Sequence, residues 1–202
     1  MSTLEEKLSL ATRRGDIDTV KNLLAAPLLD PKAVNWTLQT AAEVGNLTII
    51  ELLLRSESEG LRPDHRVETR AKNWALSNAA MNGRSTAVDL LLKDPDVDPS
   101  SNDNYAIRFA AMCGYVNVVN RLLADIRVDP SSMNNWSVRL AAQNGHVDVV
   151  ARLLKDPRVD PTALNNCALG WAHDGGHVAV VNLLLADERV KRSMETENEI
   201  SS

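Results

Sequence analysis

The stretch Gln143-Asn144-Gly145-His146-Val147-Asp148-Val149-Val150-Ala151-Arg152-Leu153-Leu154 places a glycine ahead of two aliphatic pairs four residues apart. Positions i and i+4 share a helical face, so Val149-Val150 and Leu153-Leu154 mark one apolar stripe. The pattern recurs at Ile49-Ile50 with Leu53-Leu54, Val118-Val119 with Leu122-Leu123, and Val180-Val181 with Leu184-Leu185. Its anchors, Gly15, Gly45, Gly83, Gly114, Gly145 and Gly176, are spaced by 30, 38, 31, 31 and 31 residues. A fixed period of this size indicates a solenoid, in which each repeat buries its apolar face against its neighbours.

Upstream of each glycine the sequence predicts another helix. Asn35, Asn73, Asn104, Asn135 and Asn166 stand ten residues ahead of theirs and read as N-caps. The alanine pairs that follow, such as Ala110-Ala111 and Ala141-Ala142, allow close helix approach. The glycine then ends this helix in a left-handed conformation. Three residues beyond it, Asp18, Thr48, Thr86, Asn117 and Asp148 are expected to cap the second helix. Between repeats lies Val97-Asp98-Pro99, returning as Val128-Asp129-Pro130 and Val159-Asp160-Pro161. Proline restricts itself and the residue before it, so these segments are expected to be extended.

The 202-residue chain carries a net charge of −5, with a pI near 5.4 and 3% aromatics. A phosphate-binding surface needs clustered Lys and Arg, so nucleic acid is disfavoured as a partner. No stretch approaches a membrane span, and the acidic start Met1-Ser2-Thr3-Leu4-Glu5-Glu6 is unlike a secretory signal. Cys113 and Cys167 are read as unpaired thiols in a reducing, cytoplasmic setting.

The Gln143–Leu154 stretch resembles the inter-helix turn and second helix of the ankyrin repeat. The resemblance covers residues 4 to about 190 and implies an all-α, ankyrin-like helix-turn-helix solenoid. About six repeats are expected, at 1–30, 31–68, 69–99, 100–130, 131–161 and 162–192, forming a single domain with short extended fingers. The acidic tail 193–202 reads as disordered. The family's Thr-Pro-Leu-His opening is replaced by Asn-Trp/Tyr-Ala/Ser-Ile/Val/Leu, and the repeat is 31 residues against a usual 33. The 38-residue spacing places an insertion within residues 55–66, read either as a surface loop or as a partner-contacting arm.

By the same resemblance, the two residues before each turn glycine line a concave groove. Binding candidates there are Glu43, Val44, Met81, Asn82, Met112, Cys113, Gln143, Asn144 and Asp174, with adaptable methionines at the centre. An aromatic row nine residues before the glycines adds Trp74, Tyr105 and Trp136 to these candidates, alongside Trp36. Its rings either cover joints between repeats or stack on a partner. Arg108 and Arg139 read as ties to finger carbonyls or the next Asn cap, or as a grip on an acidic partner. Cys167, His173 and His177 carry a weaker catalytic or metal reading, opposed by the Gly175-Gly176 break between the histidines. The expectation is a monomeric, non-catalytic module that binds a partner protein or peptide in its groove, with no cofactor, metal or membrane. The alternatives are self-association through Leu183-Leu184-Leu185 and Val190, and an enzyme or metalloprotein.

Overall fold

All six turn glycines adopt left-handed backbone, with φ from +69° to +84°, as the sequence predicts. In the computed structural model, which describes residues 3–55 and 67–200, each glycine joins two antiparallel helices. The chain divides into two compact units, Met1–Pro99 and Ser100–Ser202. The first holds α1 (Leu4–Arg14), α2 (Ile17–Leu24), α3 (Ala33–Val44), α4 (Leu47–Leu54), α5 (Thr69–Met81) and α6 (Ser85–Leu91). The second holds α7 (Ser101–Met112), α8 (Val116–Leu123), α9 (Ser132–Gln143), α10 (Val147–Leu154), α11 (Ala163–Asp174), α12 (Val178–Leu185) and α13 (Glu188–Ile200).

In the first unit α1, α3 and α5 pack in sequence, with α4 against α6; the second stacks α7, α9, α11 and α8, α10, α12 in the same way. The alanine pairs at 41–42, 79–80, 110–111 and 141–142 are fully buried, so first helices meet nearly backbone to backbone. Val118, Val119, Leu122, Val149, Val150 and Leu153 are fully buried on the stripe read from the sequence. No strand occurs among the described residues.

Both sets of expected N-caps are corrected. The second helix starts two residues after its glycine, so the cap is the residue immediately following it. Asp16 accepts from the Thr19 amide at 3.0 Å and Asn46 from the Ile49 amide at 3.1 Å. Asp18, Thr48, Thr86, Asn117 and Asp148 lie inside the first turn, because left-handed glycine shortens the connection. Asn35 and Asn73 lie within their helices, Asn104 and Asn135 end the left-handed turn that opens theirs, and all four hold the finger that follows. The Asn35 side-chain oxygen accepts from the amide of Glu68 at 3.0 Å, and Asn73 from Asp98 at 2.8 Å. Asn104 and Asn135 accept from Asp129 and Asp160, each at 2.7 Å. The finger is thus latched by a side chain where a ladder partner would otherwise satisfy its N–H. Val97, Val128 and Val159 are buried beneath it.

The second unit has a feature that the helix reading missed. Asn102-Asp103-Asn104, Met133-Asn134-Asn135 and Leu164-Asn165-Asn166 all have φ between +53° and +59°, giving one left-handed turn per repeat. Such backbone costs about 1–2 kcal/mol per residue, least for Asn and Asp. In two repeats an arginine holds the turn. Arg108 Nε and a terminal nitrogen donate to the carbonyls of Asp103 and Asn102 at 2.8 and 2.9 Å. Arg139 does the same to Asn134 and Met133, both at 3.0 Å. The third turn has Gly170 at the arginine position, and a Cβ built there meets nothing within 4 Å. Gly170→Ala should therefore raise stability by about 0.5–1 kcal/mol through helix propensity. Gly170→Arg should add about 1 kcal/mol more by supplying the missing donors. Urea denaturation compares them, and equal midpoints would show that the guanidinium contributes nothing.

Asp-x-Arg pairs open the later two fingers and helix α13. Asp125–Arg127, Asp156–Arg158 and Asp187–Arg189 close at 2.7, 2.8 and 2.7 Å. Arg158 and Arg189 also reach back to the carbonyls of Val128 and Val159 at 2.8 Å. The arginine hydrogen bonds hold Asp125, Asp156 and Asp187 below the usual carboxylate range. A depressed native pKa gives stability that is present above the unfolded value, about 3.9, and lost as pH falls below it. Asp156→Asn should lower stability at neutral pH and shallow the acid limb below about pH 4 in a denaturation series. An unchanged acid limb would remove Asp156 from the linkage. In the first unit, buried Lys72 replaces this arrangement, bridging Asp94 at 2.8 Å and Asp96 at 3.0 Å.

The C-terminal segment departs from expectation. Helix α13 continues to Ile200 through much of the stretch read as a disordered tail. Val190 is fully buried, and Asn166 donates to the Ser193 hydroxyl at 3.0 Å, so α13 occupies the place of a following repeat. Leu184 and Val190, offered as self-docking residues, are both buried as α12 packs against α13. Of the insertion at 55–66, residues 56–66 lie outside the described residues.

Candidate interaction surface

The residues before the turn glycines end α3, α5, α7, α9 and α11, and their main chain has a fixed task. The Nε2 of His146 donates to the Met112 carbonyl and that of His177 to the Gln143 carbonyl, both at 2.8 Å. In the first unit Arg84 Nε donates to the Glu43 carbonyl at 3.0 Å. Each brace ties one helix end to the next repeat through the backbone.

The side chains at these positions divide into two kinds. Glu43 is held by the Arg13 guanidinium at 3.1 and 3.3 Å, while Asn82 and Asn144 fold back onto the carbonyls of Asn78 and Leu140 at 2.8 Å. Val44, Met81, Met112 and Cys113 are half-buried at the helix ends, and Gln143 and Asp174 are exposed. Burial pushes the Cys113 thiol above its usual range, the opposite of what a thiolate nucleophile needs.

In the second unit, two members of the aromatic row pack against arginines of their own helices. Tyr105 stacks on Phe109 with centroids 3.9 Å apart and planes 15° apart, beneath Arg108. The Arg139 guanidinium lies 5.1 Å from Trp136 and 5.2 Å from Trp171. Trp74 is half-buried, whereas Trp36 stands out at 55% exposed. Arg108 and Arg139 are buried, 9% and 4% exposed, and committed to their own left-handed turns rather than the next Asn cap. This removes them as a grip for an acidic partner.

Cys167 lies 3.9 Å from an Arg139 nitrogen, and His173, largely exposed, faces Asp174 at 3.5 Å. Among the described residues no three His, Cys, Asp or Glu side chains gather as a metal would require. No helix among them is long and apolar enough to cross a membrane.

Comparison with curated proteins returns no match. A family model for ankyrin repeats matches three times, over residues 8–103, 38–134 and 107–194. Ankyrin repeats generally act as protein–protein interaction modules and are typically non-enzymatic. With helix pairs, left-handed turn glycines and a match over nearly its whole length, the chain belongs to the ankyrin repeat family.

Proposed function

We propose that the chain is a non-catalytic module that binds a partner protein or peptide along the helix ends before the turn glycines. One observation carries this reading. His146 and His177 anchor these helix ends through the carbonyls of Met112 and Gln143, with the Gln143 side chain exposed and that of Met112 half-buried. Half-buried methionine beside exposed glutamine and aspartate matches an adaptable apolar contact with a polar rim. In the first unit, Met81 with Glu43 and Asn82 forms the corresponding surface. Met81→Glu and Met112→Glu, singly and together, should weaken partner binding about tenfold or more while shifting melting by only a few degrees. Loss of binding together with unfolding would make the methionines core residues and remove them from the surface.

A further inference from the structure

Trp36 is 55% exposed although it stands on a first helix, and it separates two clefts of the first unit. On one side, between α1 and α3, a cleft of about 300 Å³ is lined by Leu8, Ala33, Thr37 and the indole. Glu5 and Glu6 share this lining with Ser9 and Thr40, and no cationic side chain contributes to it. On the other side, between α3 and α5, a smaller cleft of about 220 Å³ holds Trp36 and Trp74, with Lys32, Arg70 and Glu68 in its lining.

The two sides of one indole therefore carry different charge. An apolar slot walled by an indole, with carboxylates beside it, complements a long side chain with an aliphatic stem and a cationic head. The stem covers the exposed ring of Trp36 above a floor of buried Leu8, Ala33 and Thr37, and the head lies over a negative ring face near a carboxylate. Glu6 already accepts from the Thr3 amide at 3.0 Å in the capping box of α1, which leaves Glu5 as the carboxylate assigned to the incoming charge. Lys32 and Arg70 outweigh Glu68 in the second cleft and disfavour a cation there, whereas the first cleft has two carboxylates and no cation, which fixes the choice of side.

We propose that the α1–α3 cleft seats a lysine or arginine side chain of the partner, packed on Trp36 and held by Glu5. This rests on the interaction-module reading, and adds a subsite outside the helix-end row together with the chemistry of the residue that fills it.

The test is an NMR titration of the intact labelled chain, following the Trp36 indole N–H. The probes are acetylated, amidated tripeptides Ala-Xaa-Ala, with Lys, Arg, norleucine or Glu at the centre. Lys and Arg peptides should produce a saturable shift. Norleucine, which keeps the stem without the charge, should bind about tenfold more weakly, and Glu should give no shift. Glu5→Gln should weaken the Lys peptide about fivefold, and added salt should do the same. Norleucine binding as tightly as lysine, or no saturable shift from lysine, would overturn the assignment. If these peptides fail while a partner still crosslinks from position 112, only the cleft assignment falls. If both fail, the module reading falls with it.

Discussion

Arg139→Ala is expected to destabilise the second unit by about 3 kcal/mol, the largest effect among its polar positions. The residue is 4% exposed, and its guanidinium has no carboxylate partner in contact. It holds two carbonyls of a left-handed turn and fills the space between Trp136 and Trp171. Truncation removes both bonds, unstacks two indoles and leaves the turn's backbone cost uncompensated. Arg139→Met keeps the stem and tests packing alone; Arg139→Lys keeps the charge but cannot make two parallel bonds. Both should recover less than half of the loss. Arg108→Ala should cost less, because Arg108 lies farther from its rings, 5.8 and 6.0 Å against 5.1 and 5.2 Å for Arg139. Chemical denaturation of the four variants checks the order, and full rescue by methionine would show that the carbonyl bonds do not matter.

Gly145→Ala should cost about 2–3 kcal/mol, against about 1 kcal/mol for Gly176→Ala. Both glycines are left-handed, at φ +73° and +69°, so both pay the same backbone penalty. They differ in their surroundings. A Cβ on Gly145 would stand 2.6 Å from His177 Nδ1, whereas one on Gly176 meets nothing within 4 Å. The ring cannot move aside without breaking its 2.8 Å bond to the Gln143 carbonyl. The excess cost at Gly145 should therefore disappear when His177 is first changed to alanine, a coupling that a double-mutant cycle reads directly. Equal costs in both backgrounds would separate the glycine from the brace.

The repeat period, the helix pairing and the buried stripe were legible because each follows from spacing alone. Val118-Val119 and Leu122-Leu123 can share a stripe only on a helix, and the alanine pairs fit only a close helix contact. Polar roles were not legible in this way. Asparagine is a good N-cap and also a good side-chain acceptor for a neighbouring strand-like segment. Only the placement of Asp98, Asp129 and Asp160 decides between the two. The left-handed turns had a signal in Asn102-Asp103-Asn104 and Met133-Asn134-Asn135, each with arginine four residues later. That signal competes with an ordinary helix start, and Leu164-Asn165-Asn166 adopts the turn without the arginine. Tail composition misled for a different reason. Glu188 and Lys191 pair at 2.6 Å, and burial of Val190 docks α13, so tertiary contact supports a helix that acidic composition alone argues against.

Of the candidate surface, the sequence indicated the helix ends but not their division of labour. Met112 and Gln143 serve the fold through their carbonyls, while Asn82 and Asn144 are turned back onto their own helices. The exposure of Trp36 was hidden as well, since the same row position is half-buried at Trp74, Tyr105 and Trp136.

Site-specific photocrosslinking of the second unit tests the binding surface most directly. A photoreactive residue would be placed at Met112, at Gln143, or at Ala124, an exposed position just past α8. Crosslinks to one heterologous protein from positions 112 and 143, and none from 124, are the expected result. Crosslinking from position 124 alone, or only to a second copy of this chain, would contradict it.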